Sequence, residues 1–197
     1  MLTLTAEQLT ERARLELAQL VKPLSNPRYE VDFAWRYIGT ALKDFEKDYG
    51  LELVPDFQRG HVWTPEQQRL YIENSMRGVV STAGMVIQFN CRNWHETRQA
   101  KDTDLPEGLQ CIDGLQRLTA VREYMAGNVK PFGMAVEEWS GTTWDVHRVQ
   151  FRLKFAIYDF QYRAEVLDHY LALNAGGTPH SAEEIERVRG LRAAAQR

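Results

Sequence analysis

From Leu51 onward, short runs of strand character alternate with short capped helical segments, and no regular βαβ repeat orders them. Leu51 to Val54 reads as a strand stopped by Pro55. Met85 to Phe89, Leu109 to Ile112 and the run FRLKFAIY at 151 to 158 read as three more. Thr64-Pro65-Glu66-Gln67 joins a capping threonine, a proline at the first helical position and a polar third residue. The helix it starts runs to about Arg77 and is closed by Gly78. Asp113-Gly114 turns the chain into a helix over Leu115 to Ala126, and Tyr162 to Leu173 forms another. The polar stretch from 92 to 108 reads as a surface excursion. This mixture, without internal repeats, gives the α+β class.

Upstream, Thr5 and Gln8 have capping-box spacing, and Leu9, Ala13, Leu17 and Leu20 recur on one face of a helix over 6 to 21. KPLSNPRYE, with Pro23 and Pro27, follows as a linker. Asp32 is expected to cap a second helix bearing Phe33, Tyr37, Ala41, Leu42 and Phe45, ended by Gly50. Ser181 with Glu184 caps the last helix. The expected layout is a helix and linker over 1–30, then one domain over 31–197.

Composition narrows the functions. With 24 basic and 27 acidic residues the net charge is −3, so any nucleic-acid contact needs a local patch. The two cysteines stand far apart, and the five histidines show no HExxH or HxH spacing, which leaves no zinc motif. No apolar run approaches the ~20 residues of a membrane span. Glu7, Glu11 and Glu16 interrupt what would be a signal-peptide core, so a cytoplasmic protein is expected.

Three constellations carry chemistry. In VPDFQRGHVWTPEQQ, Gln58 and Arg59 lie with Asp56, His61 and Trp63 between a strand and a capped helix. Arg59 could clamp a phosphate and Gln58 orient a water or a base edge. Equally, the arginine could tie the loop to an acidic neighbour. In CIDGLQRLTAV, a helix N-terminus follows Asp113-Gly114, and Arg117 adds a cation where the helix dipole disfavours one. A bound phosphate accounts for both, with Asp113 on a magnesium ion (Mg2+); the alternative is Asp113 as a plain N-cap. In LNAGGTPHSAEEI, Asn174, Gly176, Gly177 and Thr178 permit close backbone approach but lack a Walker ending, and a helix connection explains them too. Trp139 and Trp144 read as packing or partner contacts. Arg187, Arg189, Arg192 and Arg197, offset by Glu183, Glu184 and Glu186, read as a solvated end helix.

The order of these motifs over residues 35 to 190 resembles the N-terminal domain family of GmrSD-type restriction enzymes, the DGQQR-motif family. The resemblance implies a fold similar to ParB and sulfiredoxin N-terminal domains: a small mixed sheet flanked by helices, here with an extra N-terminal helix. It also implies binding and hydrolysis of a nucleoside triphosphate coupled to restriction of DNA. Asp113, Gly114, Gln116 and Arg117 match DGQQR, and Gln58 and Arg59 match FQR. Asn174, Gly176, Gly177 and Thr178 match the distal loop. On this basis Asp113, Gln116, Arg117 and Gln58 are the candidate catalytic residues. Arg59, Gly114, Arg117 and the distal loop are the candidate nucleotide contacts. Leu115 departs from the family glutamine, which predicts weakened hydrolysis with binding retained. No HNH nuclease pattern is visible, so a complete restriction enzyme is not expected.

Three functions follow as alternatives. The first is a stand-alone nucleotide-binding domain, hydrolysing where active, in a restriction or phage-defence system. The second is a non-enzymatic module that binds DNA or a protein of such a system and antagonises or regulates it. The third is metal-dependent DNA cleavage, which needs Asp56, Glu73 and Asp113 to converge.

Overall fold

The computed structural model describes residues 6–21, 24–94, 102–147, 151–174 and 182–195. The expected caps at Thr5 and Ser181, Pro23 of the linker, and Gly176, Gly177 and Thr178 lie outside the described residues. Within them, six α-helices accompany one four-stranded mixed sheet. The helices are α1 (Ala6–Val21), α2 (Ile38–Tyr49), α3 (Pro65–Met76), α4 (Leu115–Met125), α5 (Arg163–Asn174) and α6 (Ala182–Ala194). The strands are β1 (Tyr29–Ala34), β2 (Val86–Asn90), β3 (Gln110–Asp113) and β4 (Arg152–Tyr158), in the order β1-β4-β2-β3. The central β2–β4 pair is parallel, and the outer pairs β1–β4 and β2–β3 are antiparallel.

Two expectations are corrected here. Asp32 does not cap a helix, because YEVDFA is the strand β1. Its period is two: Val31 and Phe33 pack against the core, while Glu30 and Asp32 reach Lys154 (3.2 Å) and Arg152 (3.7 Å) on the neighbouring strand. The helix starts only after a 3-10 turn at Trp35–Tyr37, and Gly50 ends it with φ of 63°, as expected. Leu51 to Val54 is likewise not a strand. It makes a single parallel bridge, Glu52 to Gln110, before Pro55 turns the chain away. By contrast the Thr64 capping box forms on both sides: Thr64 Oγ1 accepts from Gln67 N (3.3 Å), and Gln67 Oε1 accepts from Thr64 N (2.9 Å).

Strand alternation divides the interior into two layers. Ile87, Phe89, Leu153, Phe155 and Ile157 face α2, α3 and α4, meeting Leu42, Ile72, Leu118 and Val121. Phe155 anchors this layer, its ring 4.9 Å from that of Phe33 and 5.1 Å from that of Phe89. On the other face Ile112, Ala156 and Tyr158 pack with Val166, Leu167 and Tyr170 of α5, Val188 of α6 and the loop residue Phe57. Each fully buried side chain of this size contributes about 1.5–3 kcal/mol.

One irregularity aims the site. Asn90 and Phe89 pair with Gln110 and Cys111, but Gln88 pairs with Asp113, leaving Ile112 as an extra residue in β3. Ile112 and Asp113 therefore share one side of the sheet, Ile112 sealed in the second layer and Asp113 at its edge. The helix α1 presents Leu15, Leu17 and Leu20 exposed, although spacing puts Leu17 and Leu20 on its apolar face. No helix among the described residues is long and apolar enough to cross a membrane.

Candidate functional site

The site grows from the step between β3 and α4. Gly114 sits at the N-cap with φ of 96°, a left-handed conformation. A Cβ there would lie 2.7 Å from Ile87 Cδ1 and 3.0 Å from Val86 O, so space as well as torsion demands glycine. Because glycine occupies the cap, no side chain caps α4, and the reading of Asp113 as its N-cap is corrected. The first turn's backbone N–H groups, with their partial positive charge, are left to whatever lies beyond the strand end. Asp113 instead pairs with Arg117 Nη2, one helical turn on. The same Nη2 donates to Val86 O (3.0 Å), which locks the guanidinium against the end of β2.

The FQR loop is stitched to this step. Phe57 is buried against Tyr170, ring centroids 5.6 Å apart. Gln58 Nε2 donates to Ile112 O (2.7 Å) and Cys111 O (3.1 Å), both carbonyls of β3 at the bulge. From the other side, Gln116 Oε1 accepts from Val62 N (3.0 Å) and Trp63 N (3.1 Å), and its Nε2 donates to Gly60 O (3.1 Å). The two glutamines thus grip the neighbouring motif's backbone. Arg59 Nη1 stands 3.8 Å from Glu184 Oε2 on α6. Arg187 of α6 donates to Asp56 O (2.7 Å) and Phe57 O (3.0 Å). Read from sequence as part of a solvated face, Arg187 is in fact a clamp on the loop. Its clue lay in tertiary packing, which no local spacing encodes.

These elements enclose a cleft of about 410 Å3. It brings together Gln58, Arg59, Asp113, Gly114, Gln116, Arg117 and Asn174, all expected from sequence. Asn174 donates from Nδ2 to Tyr170 O (2.7 Å), closing the end of α5. Trp63, from the same constellation as Arg59, lines the cleft as well, as do Gln88 and Tyr170, which carried no motif signal. Burial pushes the Tyr170 hydroxyl up to about 12 and the Cys111 thiol well above its ordinary value, so neither ionises near neutral pH. Among the described residues, the polar lining of the cleft is therefore two arginines and neutral groups around a single carboxylate, Asp113.

The convergence required for metal-dependent cleavage is absent among the described residues, where no group of three His, Cys, Asp or Glu side chains could hold an ion. Asp56 pairs with Arg163 (2.6 Å), and Glu73 accepts from Phe132 N (2.8 Å) and pairs with Arg69. Trp139 and Trp144 pack edge-on at 6.5 Å, outside the cleft.

Searches of curated proteins and of solved structures returned no significant match, so the ParB and sulfiredoxin likeness rests on the motifs alone. One family model matches, described as GmrSD restriction endonuclease, N-terminal domain, and it spans residues 38–174, over two thirds of the chain. The match runs from the start of α2 to the end of α5 and takes in the FQR loop, the bulged strand and the uncapped helix. The chain belongs to the family of GmrSD restriction endonuclease N-terminal domains.

Proposed function

We propose that the cleft binds a nucleoside triphosphate by its phosphates, in a protein of a restriction or phage-defence system. The observation that carries this is the convergence of the uncapped α4 N-terminus, Arg117 and Arg59 on one cavity at a strand end. Backbone N–H groups and guanidinium forks there suit a chain of anionic oxygens. Arg117 binds a phosphate while pinned by Val86 O, and Arg59 exchanges its loose contact with Glu184 for a second phosphate. The distal loop of Gly176, Gly177 and Thr178 follows Asn174 in the chain and is assigned to the same ligand.

The donor set fits Mg2+ only as a partner of the nucleotide. A single carboxylate matches the usual pattern, in which this ion is held by one or two carboxylates plus phosphate oxygens. When bound, it supplies charge neutralisation on the phosphates. Asp113 would hold it, and Arg117 keeps that carboxylate in place.

Turnover is a separate matter, and one observation favours a binding module. Of the candidates for orienting water, Gln116 spends both ends of its amide on backbone and Gln58 commits its Nε2 to β3, while Leu115 is buried at the first helical position. In this reading nucleotide occupancy holds the FQR loop in a shape that DNA or a partner protein of the defence system recognises. A steep salt dependence of DNA binding, scaling with phosphate contacts, would single out DNA.

Calorimetric titration of each ribonucleoside triphosphate with Mg2+ tests the site. Wild type is expected to bind at least one saturably, and Arg117→Ala to lose it while its circular dichroism spectrum is retained. Equal binding by the folded variant, or no binding by wild type, overturns the assignment.

A further inference from the structure

Gln88 and His169 belong to no motif, and the reading above does not use them. Gln88 lies on β2 directly opposite Asp113 across the bulge and lines the same cleft. Directly paired residues present their side chains on one face, so the amide and the carboxylate stand side by side. Gln88 Oε1 lies 2.8 Å from His169 Nε2 on α5. That histidine is only 4% exposed and packs against the stacked rings of Tyr158 and Phe160, with ring centroids 4.5 and 5.2 Å away.

The tautomer follows from hydrogen-bond accounting. His169 Nδ1 is buried without a hydrogen-bond partner among the described residues. A buried N–H with no acceptor is the rarer and costlier arrangement, so the proton of the neutral ring sits on Nε2. Nε2–H then donates to Gln88 Oε1, which fixes the orientation of an amide that could otherwise flip. With its oxygen taken, Gln88 has only its NH2 group to offer the cleft it lines, and among the described residues that group has no partner. Burial favours the neutral ring, against an opposing pull from Asp113.

We propose that Gln88 is a specificity-determining contact of this cleft, its amide held by His169 to donate to a phosphate oxygen of the bound ligand. His169 is a positioning residue and touches no ligand. Together with Arg59, Arg117 and the first turn of α4, Gln88 makes the cleft select a ligand rich in acceptors. The inference rests on the phosphate reading above.

The test uses the full chain and inorganic tripolyphosphate, titrated by calorimetry alongside the nucleotides. Gln88→Met is expected to weaken tripolyphosphate binding about tenfold or more, as loss of a hydrogen bond to a charged acceptor does. Gln88→Glu, which exchanges the donor for a carboxylate, should abolish binding. His169→Leu should match Gln88→Met, whereas His169→Gln, which restores a donor toward Oε1, should recover most of the affinity. A merely structural histidine would change thermal stability in both variants without this rescue. Undiminished binding by Gln88→Met, with Arg117→Ala still defective, overturns this inference and leaves the phosphate site standing. Tripolyphosphate binding that depends on Gln88, without any nucleotide binding, overturns the nucleoside reading and keeps this one. If wild type binds no tripolyphosphate, the inference falls.

Discussion

At Gly114 two demands meet that are separately common and together decisive. The φ of 96° alone would strain any other residue, and a Cβ would press on Ile87 and the Val86 carbonyl. Gly114→Ala is expected to destabilise the fold by about 1–3 kcal/mol in urea titration and to weaken anion binding, since both faults displace the first turn of α4. Stability within a few tenths of a kcal/mol of wild type would show that the turn relaxes freely. This residue was legible in the sequence, because Asp-Gly before an apolar helical run says what it does. Gln58 and Gln116 were legible only as important. Their partners lie 53 to 56 residues away, a distance over which spacing carries no information. His169 was not legible at all, since its role depends on a strand, a bulge and two aromatic rings brought together from elsewhere.

Among the elements, α6 forms where a last helix is expected, but its arginines do more than face solvent. Its three arginines offset by glutamates, with Arg197 outside the described residues, describe an exposed helix, yet Arg187 reaches two backbone carbonyls of the FQR loop and Arg192 reaches Asp168 (2.7 Å). Arg187→Ala should leave the helix intact and loosen the loop. Amide hydrogen exchange over 56 to 63 is expected to rise, with nucleotide affinity falling several-fold. Unchanged exchange there would mean that Phe57 and Gln58 hold the loop without help. The strand β1 failed for a different reason. Six residues of alternation are brief, and Asp32 ahead of a true helical pattern imitates a cap. Where the local chemistry is complete in itself, as in the Thr64 capping box, expectation and structure coincide.

Across the whole molecule, the sheet lies between two apolar layers, and the site opens where the second of them ends. That placement makes acid a probe of the fold. His169 is neutral in its buried position and has its pKa lowered from 6.5 by burial, whereas the unfolded chain titrates near 6.5. Below that pH the unfolded state takes up a proton the native state refuses, so stability is full above 6.5 and falls as pH drops through the window beneath it. Urea titrations from neutral pH downward should show this slope in wild type and a flatter one in His169→Gln. Identical slopes would place the titration elsewhere. Asp145, held down by the N–H groups of Gly141 and His147, and Glu73, where the Phe132 N–H and Arg69 outweigh burial, lose their contributions at lower pH.

The extra residue in β3 ties together two stretches that read as separate motifs. An unbulged ladder of the same sequence would set Ile112 opposite Gln88 and turn Asp113 toward the layer that holds Cys111. The bulge prevents this, and the side chain that takes up the Cys111 and Ile112 carbonyls is Gln58 of the FQR loop. Neither motif can drift alone. A descendant that replaced Gln58 with an apolar residue would strand those carbonyls and favour a straightened strand. Its acidic residue would then leave the cleft without having mutated, so the two stretches form a single heritable unit.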